Sequence, residues 1–168
     1  MPSMYSLTVP VLTRGLKVLS RYMDAAAAHA KATGVDPTEV IAARLAPDMF
    51  SLGRQVQSAC DNAKNGVGRL TGADVPRFPD DEKTFPELKA RIDRTLGLLA
   101  AVTPAQFDGA EERQVVLKFG GVDWALTGED YVTQFLLPNF FFHVATAHGI
   151  LRHLGLDIGK RNYLGRVA

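Results

Sequence analysis

The residues of this chain best suited to chemistry are three histidines near its C-terminus, His143, His148 and His153. Histidine transfers protons near neutral pH and is the commonest metal ligand in proteins. Two histidines four residues apart lie on one face of a helix and can share a metal ion. Here the spacing is five, and because successive helical residues turn by about 100°, His143 and His148 diverge by about 140°. The spacing therefore predicts that these two side chains do not share a metal ion.

His143 is the candidate catalytic residue. On the same helical geometry it lies about 60° from Phe140, on the inner side or at the seam of a helix that packs against its neighbours. Asn139 lies next to it on that helix and is a candidate ligand-binding residue. The alternative is that His143 is a histidine at the edge of the core, bonded to a neighbour and without a catalytic role.

Gln57 and Cys60 are further candidates for ligand binding, and both belong to an earlier helical segment. Cys60 lies in the apolar stripe of that segment. A lone buried cysteine is usually a small hydrophobic residue, because a reactive thiol needs a lowered pKa. Gln57 lies at the edge of the stripe, where it faces either His143 across the protein or the solvent. The sequence contains no evident nucleophile–base triad, phosphate loop or dinucleotide-binding motif.

Four long amphipathic segments would position these residues. Capping signals and apolar residues at helical spacing predict long helices over about 7–32, 47–72, 85–102 and 128–154. Asp36-Pro37-Thr38-Glu39 predicts the start of a short additional helix. Pro138 lacks a backbone N–H and crowds the preceding turn, so we expect a kink in the last long helix.

The pattern changes to that of strands before the last long helix. Two β-prone runs, 115–119 and 122–126, flank Gly120-Gly121, which predicts a short hairpin. Each long helix must bury one apolar stripe against partners. The sequence therefore predicts an all-α four-helix bundle with a short β-hairpin before the last long helix, in a single domain spanning 1–168.

Composition narrows the class of protein. The chain has 168 residues, 46% hydrophobic and 22% charged, which is typical of a globular domain. Its net charge of +1 argues against nucleic-acid binding. The most apolar region, Phe135 to Leu154, is interrupted by Pro138, by histidines and by Arg152, so we expect no membrane span. A single cysteine and the absence of a signal-peptide pattern lead us to expect a cytoplasmic protein.

Several motifs resemble those of an uncharacterised bacterial family within the DinB-like four-helix-bundle superfamily. The resemblance spans Tyr5 to Gly165 and rests on ARLAPDMF at 43–50, RQVQ at 54–57, LPNFFFH at 137–143 and GKR at 159–161. It implies a bundle with a hairpin before the last helix. The superfamily includes metal-dependent transferases and isomerases that use low-molecular-weight thiols. Their usual site has one histidine in the second long helix and two, four residues apart, in the fourth.

This chain lacks the histidine pattern of that metal site, so the resemblance implies the fold but not the metal chemistry. The second long helix has no histidine, and the position four residues after His143 is Ala147. The sequence identifies no cofactor, and the missing histidines disfavour a divalent metal. Whether the protein is an enzyme stays open.

Two functions follow as hypotheses. The first is a small-molecule binder or enzyme with a degenerate metal site around His143. The second is a non-catalytic bundle that acts through a homodimer or a protein partner. The second is suggested by Phe140-Phe141-Phe142, which covers three directions of one helix and turns Phe142 away from Phe140.

Overall fold

The computed structural model describes residues 3–165, apart from the side chain of Phe119. Its elements in chain order are α1 (Met4–Thr33), α2 (Pro37–Ala42), α3 (Leu52–Thr71), α4 (Phe85–Ala100), a 3-10 turn (Pro104–Phe107), β1 (Val115–Phe119), β2 (Val122–Leu126), α5 (Gly128–Asp130), a π-helical segment (Tyr131–Leu136), α6 (Leu137–His153) and α7 (Lys160–Tyr163). The four long helices and the hairpin before the last of them confirm the predicted fold class.

The long helices surround one apolar core. The most extensive packing is between α3 and α6, α1 and α4, α3 and α4, and α1 and α6, which gives the order α1–α4–α3–α6 around the bundle. The core is a single cluster to which all four helices contribute fully buried side chains, among them Leu16, Val56, Ile92 and Phe140. Burial of these stripes is the main source of helix stability in such a bundle.

The ends of the helices follow local capping chemistry. Gly34 and Gly72 end α1 and α3 with φ of 73° and 74°, a left-handed conformation that glycine adopts without strain. The predicted start of the second long helix near residue 47 is wrong. The helix begins at Leu52, because the Ser51 side chain accepts a hydrogen bond from the backbone N–H of Arg54 at 3.5 Å and so caps the first turn.

The hairpin packs against the segment that follows it in the chain. Its strands are antiparallel, with Leu117 opposite Trp124, and Gly120 and Gly121 both have positive φ, as a tight two-residue turn requires. Leu117 is buried, and the Trp124 ring contacts Phe135 edge-on, with centroids 6.1 Å apart. The hairpin thus places the Trp124 side chain against the helical segment that precedes α6.

The last long helix changes its winding just before Pro138. Residues Tyr131–Leu136 form a π-helical segment, and Pro138 lies in the first turn of α6. Pro138 has no backbone N–H to donate to the preceding turn, and the π-helical segment lies where that hydrogen bond is missing. Such segments are frequent at functional sites. The extra residue per turn shifts the phase of the side chains before Pro138 relative to those after it. Within residues 3–165, no helix is both long and apolar enough to cross a membrane.

Candidate functional site

His143 lies at the seam between α3 and α6, where it is held by Gln55. The Nδ1 atom of His143 lies 2.8 Å from Oε1 of Gln55, and the two residues are 8% and 1% exposed. The Nε2 atom of Gln55 donates a hydrogen bond to the backbone carbonyl of Phe50 at 3.1 Å. Because a carbonyl can only accept, this bond fixes the orientation of the Gln55 amide, and its Oε1 must face His143. Nδ1 of His143 is therefore the donor.

This arrangement leaves Nε2 of His143 as an acceptor. A neutral imidazole carries one proton, so a proton on Nδ1 leaves a lone pair on Nε2. In the part of the chain that the structure describes, no residue forms a hydrogen bond with that nitrogen. Burial, together with the positive charge of Arg54, lowers the pKa of His143. The ring is therefore a neutral base at neutral pH, held in one tautomer.

Two phenylalanines flank the His143 ring. Phe50 stacks nearly parallel to it, at 6.5 Å and 10°, and Phe142 meets it edge-on at 5.4 Å. Both phenylalanines are largely solvent-exposed, at 49% and 56%. Arg54 lies over one ring of this group, 5.4 Å from the centroid of Phe50. His143 is thus placed between apolar walls that are themselves open to solvent.

Two asparagines extend the polar character of this seam. Asn139 is half-buried and lies one turn before His143 on α6. Asn62 lies seven residues after Gln55 and so on nearly the same face of α3. Asn62 is only 9% exposed, yet neither atom of its amide has a hydrogen-bond partner among the described residues. Buried amides without partners are rare in folded proteins.

Gln57 lies on the other side of α3 and faces neither His143 nor the open solvent. It is 6% exposed, its Oε1 accepts from Arg54 at 3.3 Å, and its Nε2 donates to Glu82 at 3.0 Å. It lines a pocket of about 420 Å³ together with Arg54, Glu82 and Lys83. Neither orientation that the sequence suggested for Gln57 describes this environment, because the segment between α3 and α4 covers the side chain. Its role in ligand binding stays a prediction.

The loop between α3 and α4, residues 72–84, is held by Arg91, a fully buried arginine on α4. Its guanidinium lies 3.0 Å from Glu82, 2.9 Å from Asp61 and 3.0 Å from Asp80, and it donates to the backbone carbonyl of Pro79 at 2.8 Å. Arg54 makes a further ion pair with Asp80. These contacts tie the segment between α3 and α4 to the bundle and position Glu82 beside Gln57.

Cys60 lies in the core between α3 and α4. It is 0% exposed, and burial raises the pKa of its thiol to about 12, although a hydrogen bond with Thr95 and the charge of Arg91 act to lower it. A nucleophilic thiol needs a lowered pKa and access to its target. This environment is that of a small hydrophobic residue.

His148 belongs to a different part of the molecule, as the predicted divergence from His143 requires. Its Nδ1 lies 2.6 Å from the hydroxyl of Tyr22 on α1, whereas His143 faces α3. Within residues 3–165, no three His, Cys, Asp or Glu side chains lie close enough together to hold a metal ion. Gln55 already occupies Nδ1 of His143, Asn139 lies one turn away on α6, and the charged group that acts on the ring is Arg54, which is a cation and cannot ligate a metal. These residues do not fit the three-histidine site that the resemblance implies.

The fold defines the class of protein, a DinB-like helical bundle. A crystal structure described as a DinB family member protein from Shewanella denitrificans is similar to this chain with a TM-score of 0.90 and 42% sequence identity, over 97% of this chain and 92% of that one. The family model for the domain of unknown function DUF1993 matches residues 4–164, and the chain belongs to this family. No curated protein is a significant match to it.

Proposed function

We propose that this protein binds a small molecule at the α3–α6 seam, with Nε2 of His143 as the hydrogen-bond or proton acceptor. The observation that carries the proposal is the Phe50–Gln55–His143 chain of hydrogen bonds, which keeps the proton on Nδ1. A base is effective when it is neutral at the working pH and held in one orientation. Both conditions favour a role for His143 beyond packing.

The surroundings of His143 indicate the kind of ligand. The polar part of the ligand would carry an O–H or N–H group that donates to Nε2 of His143. The half-buried amide of Asn139, one turn away, would be a further partner for the ligand. Its apolar part would lie against the exposed rings of Phe50 and Phe142. If the ligand transfers its proton, Gln55 Oε1 stabilises the imidazolium by accepting from Nδ1. Binding would not depend on the three-histidine metal site of the superfamily, because residues 3–165 contain no group of His, Cys, Asp or Glu side chains that could hold a metal ion.

Replacing His143 with asparagine tests this proposal. The amide of the asparagine side chain would keep a donor near the position of Nδ1 and so retain the bond to Gln55, while Nε2 is removed. We expect fragments found by saturation-transfer NMR in a library of phenols, carboxamides and hydroxy acids to bind this variant about tenfold more weakly. Their binding to the native protein should be unchanged by EDTA.

The matched control for that experiment is His153→Asn, which changes an exposed histidine on the same helix. This variant should bind every fragment as the native protein does. A library without any binder, or binders with equal affinity for the native protein and H143N, would contradict the proposal.

A second candidate function is self-association through the apolar face beside His143. Phe142, Phe50 and Leu45 are 56%, 49% and 46% exposed. A methyl group on Gly149 would lie 3.4 Å from Leu45 Cδ1, so Leu45 lies over α6 two turns beyond Phe142. Exposed apolar residues gathered on one face favour a protein contact.

Light scattering at micromolar concentration tests this second function. We expect a dimer for the native chain and a monomer for Phe142→Ser, because the substitution removes an apolar side chain from the centre of the face. The matched control is Val122→Ser, which changes a 69% exposed residue of the hairpin and should leave the dimer intact. A monomeric native chain would exclude self-association.

A further inference from the structure

Tyr22, which is buried, and His148, which is half-buried, form a hydrogen bond between α1 and α6 that the proposed function does not use. The Tyr22 hydroxyl lies 2.6 Å from Nδ1 of His148, and Tyr22 is only 2% exposed. Among the described residues its hydroxyl has no other hydrogen-bond partner. The phenolic hydrogen therefore needs Nδ1 as its acceptor, and this requires His148 to be neutral, with its proton on Nε2.

The C-terminal segment, residues 160–165, docks over this pair. The Tyr163 ring of α7 meets the His148 ring edge-on, with centroids 5.9 Å apart. Arg14 of α1 donates to the backbone carbonyl of Leu164 at 3.4 Å. A Cβ atom on Gly165 would lie 3.4 Å from both Arg14 and Arg21, so the segment continues along α1 in close contact. Its attachment is thus assembled around His148.

The charged groups around His148 are predominantly positive. The positive charge of Arg21 on α1 acts to lower the pKa of Tyr22, and that of Arg14 on α1 acts to lower the pKa of Tyr163. The positive charge of Arg152 on α6 acts to lower the pKa of His148 itself. The nearby acid Asp157 lies 3.9 Å from Arg152 and is fully exposed, so water screens it strongly. The docked segment adds Lys160 and Arg161, both exposed. A positive charge on His148 would therefore arise among like charges.

We propose that residues 160–165 form a strap that is released on acidification, with His148 as the switch. When His148 gains a proton, Nδ1 becomes a donor, and the buried hydroxyl hydrogen of Tyr22 loses its acceptor. The new cation also repels Arg152 and the basic segment. Release of the strap uncovers the groove between α1 and α6 that contains Tyr22 and His148.

The pH range of the release follows from the environment of the ring. Burial and the positive charge of Arg152 lower the pKa of His148 in the docked state. A histidine whose pKa is lowered in the docked state stabilises that state fully at pH values above the ordinary histidine pKa. That stabilisation is lost as the pH falls from the ordinary value toward the lowered one. We therefore expect the strap to be docked at pH 7.5 and progressively released in mild acid.

Hydrogen exchange of the C-terminal peptide, corrected for intrinsic exchange rates, tests this inference. Between pH 7.5 and mild acid, protection of the amides of residues 163–165 should fall about five- to thirtyfold, the effect of losing the partly buried Tyr22–His148 hydrogen bond and the contacts around it. In His148→Asn the amide oxygen takes the place of Nδ1 and carries no charge, so protection should not change with pH. The matched control, His153→Asn, should behave as the native chain.

Equal protection of the native chain at both pH values would overturn the inference, and so would an equal loss in H148N. If H148N does not fold, an NMR titration of the native chain gives the same decision. As His148 gains its proton, the Tyr163 ring resonances should move to the positions of a tyrosine in an unstructured peptide, and a Tyr163 that is still docked once His148 is protonated would overturn the inference. Neither measurement involves His143.

Discussion

Replacing Arg91 with methionine should lower the free energy of unfolding by about 3–5 kcal/mol, as measured by urea denaturation. Methionine fills similar space, but the carboxylate of Glu82, whose side chain is 5% exposed, would lose the partner that lies 3.0 Å from it. Glu82 would keep Arg94, 3.6 Å away, but that arginine is half-exposed and compensates a buried charge poorly. A buried carboxylate that loses its buried cation is strongly destabilising, because its lost hydration is no longer offset. The loop between α3 and α4 should also become accessible to protease.

Two further variants separate this effect from a general loss of positive charge. Arg94→Met removes an arginine that is 52% exposed in its side chain and lies 3.6 Å from the same Glu82. It should cost less than about 1 kcal/mol. Adding Glu82→Gln to the Arg91→Met background should restore part of the lost stability, because the unpaired charge is gone. Equal losses for Arg91→Met and Arg94→Met would contradict this interpretation of the loop.

Replacing Gly128 with alanine should destabilise the protein by about 3 kcal/mol. A Cβ atom at this position would lie 1.8 Å from the backbone carbonyl oxygen of Ala110, a contact that rotation of a side chain cannot relieve. Gly128 begins α5 and precedes the π-helical segment, so a shift here displaces the start of the last long helix. Calorimetry and urea denaturation would measure the loss.

The matched control for Gly128→Ala is Gly97→Ala. Gly97 is an exposed residue within α4, and a Cβ atom there would have no neighbour within 4 Å. Alanine is favoured over glycine inside a helix, so this variant should be more stable by about 0.5–1 kcal/mol. If both variants changed stability in the same direction, the close approach of Gly128 to Ala110 would not be what constrains that position.

Local signals were sufficient to predict the bundle and its hairpin. Asp36 caps α2, and Thr84 caps α4 through its bond with the backbone of Glu87, as their sequence contexts predict. The paired glycines of the hairpin likewise adopt the positive φ that such a turn requires. These features depend on residues within a few positions of one another. The start of α3 was predicted too early because several residues before Ser51 are compatible with a helix.

The polar contacts were harder to predict because they depend on the order of the helices. Gln55 and Gln57 differ by about 200° around α3, and the sequence does not show which of them faces the helix that carries His143. Once α3 is placed between α4 and α6, Gln55 faces α6 and Gln57 faces the loop. The signal that could have identified Gln55 is its seven-residue spacing from Asn62, which places two amides on one face.

Arg91 was missed for a related reason. It lies about 60° from Leu88 around α4, close enough to the apolar stripe to be buried when a loop folds over it. The loop with Glu82 and Asp80 supplies the opposite charges, and its path is not encoded in any periodic pattern. The burial of Arg91 can therefore be predicted only when it is known that its acidic partners from other segments lie beside it.

Long-range proton–nitrogen NMR of the imidazole rings tests most directly whether His143 is a neutral base with its proton held on Nδ1. At pH 7.5 we predict an Nδ1–H tautomer for His143 and the opposite, Nε2–H tautomer for His148. On titration, His143 should gain its proton below the ordinary histidine range, because burial and Arg54 lower its pKa. An Nε2–H tautomer for His143, or a ring already protonated near neutral pH, would contradict the account.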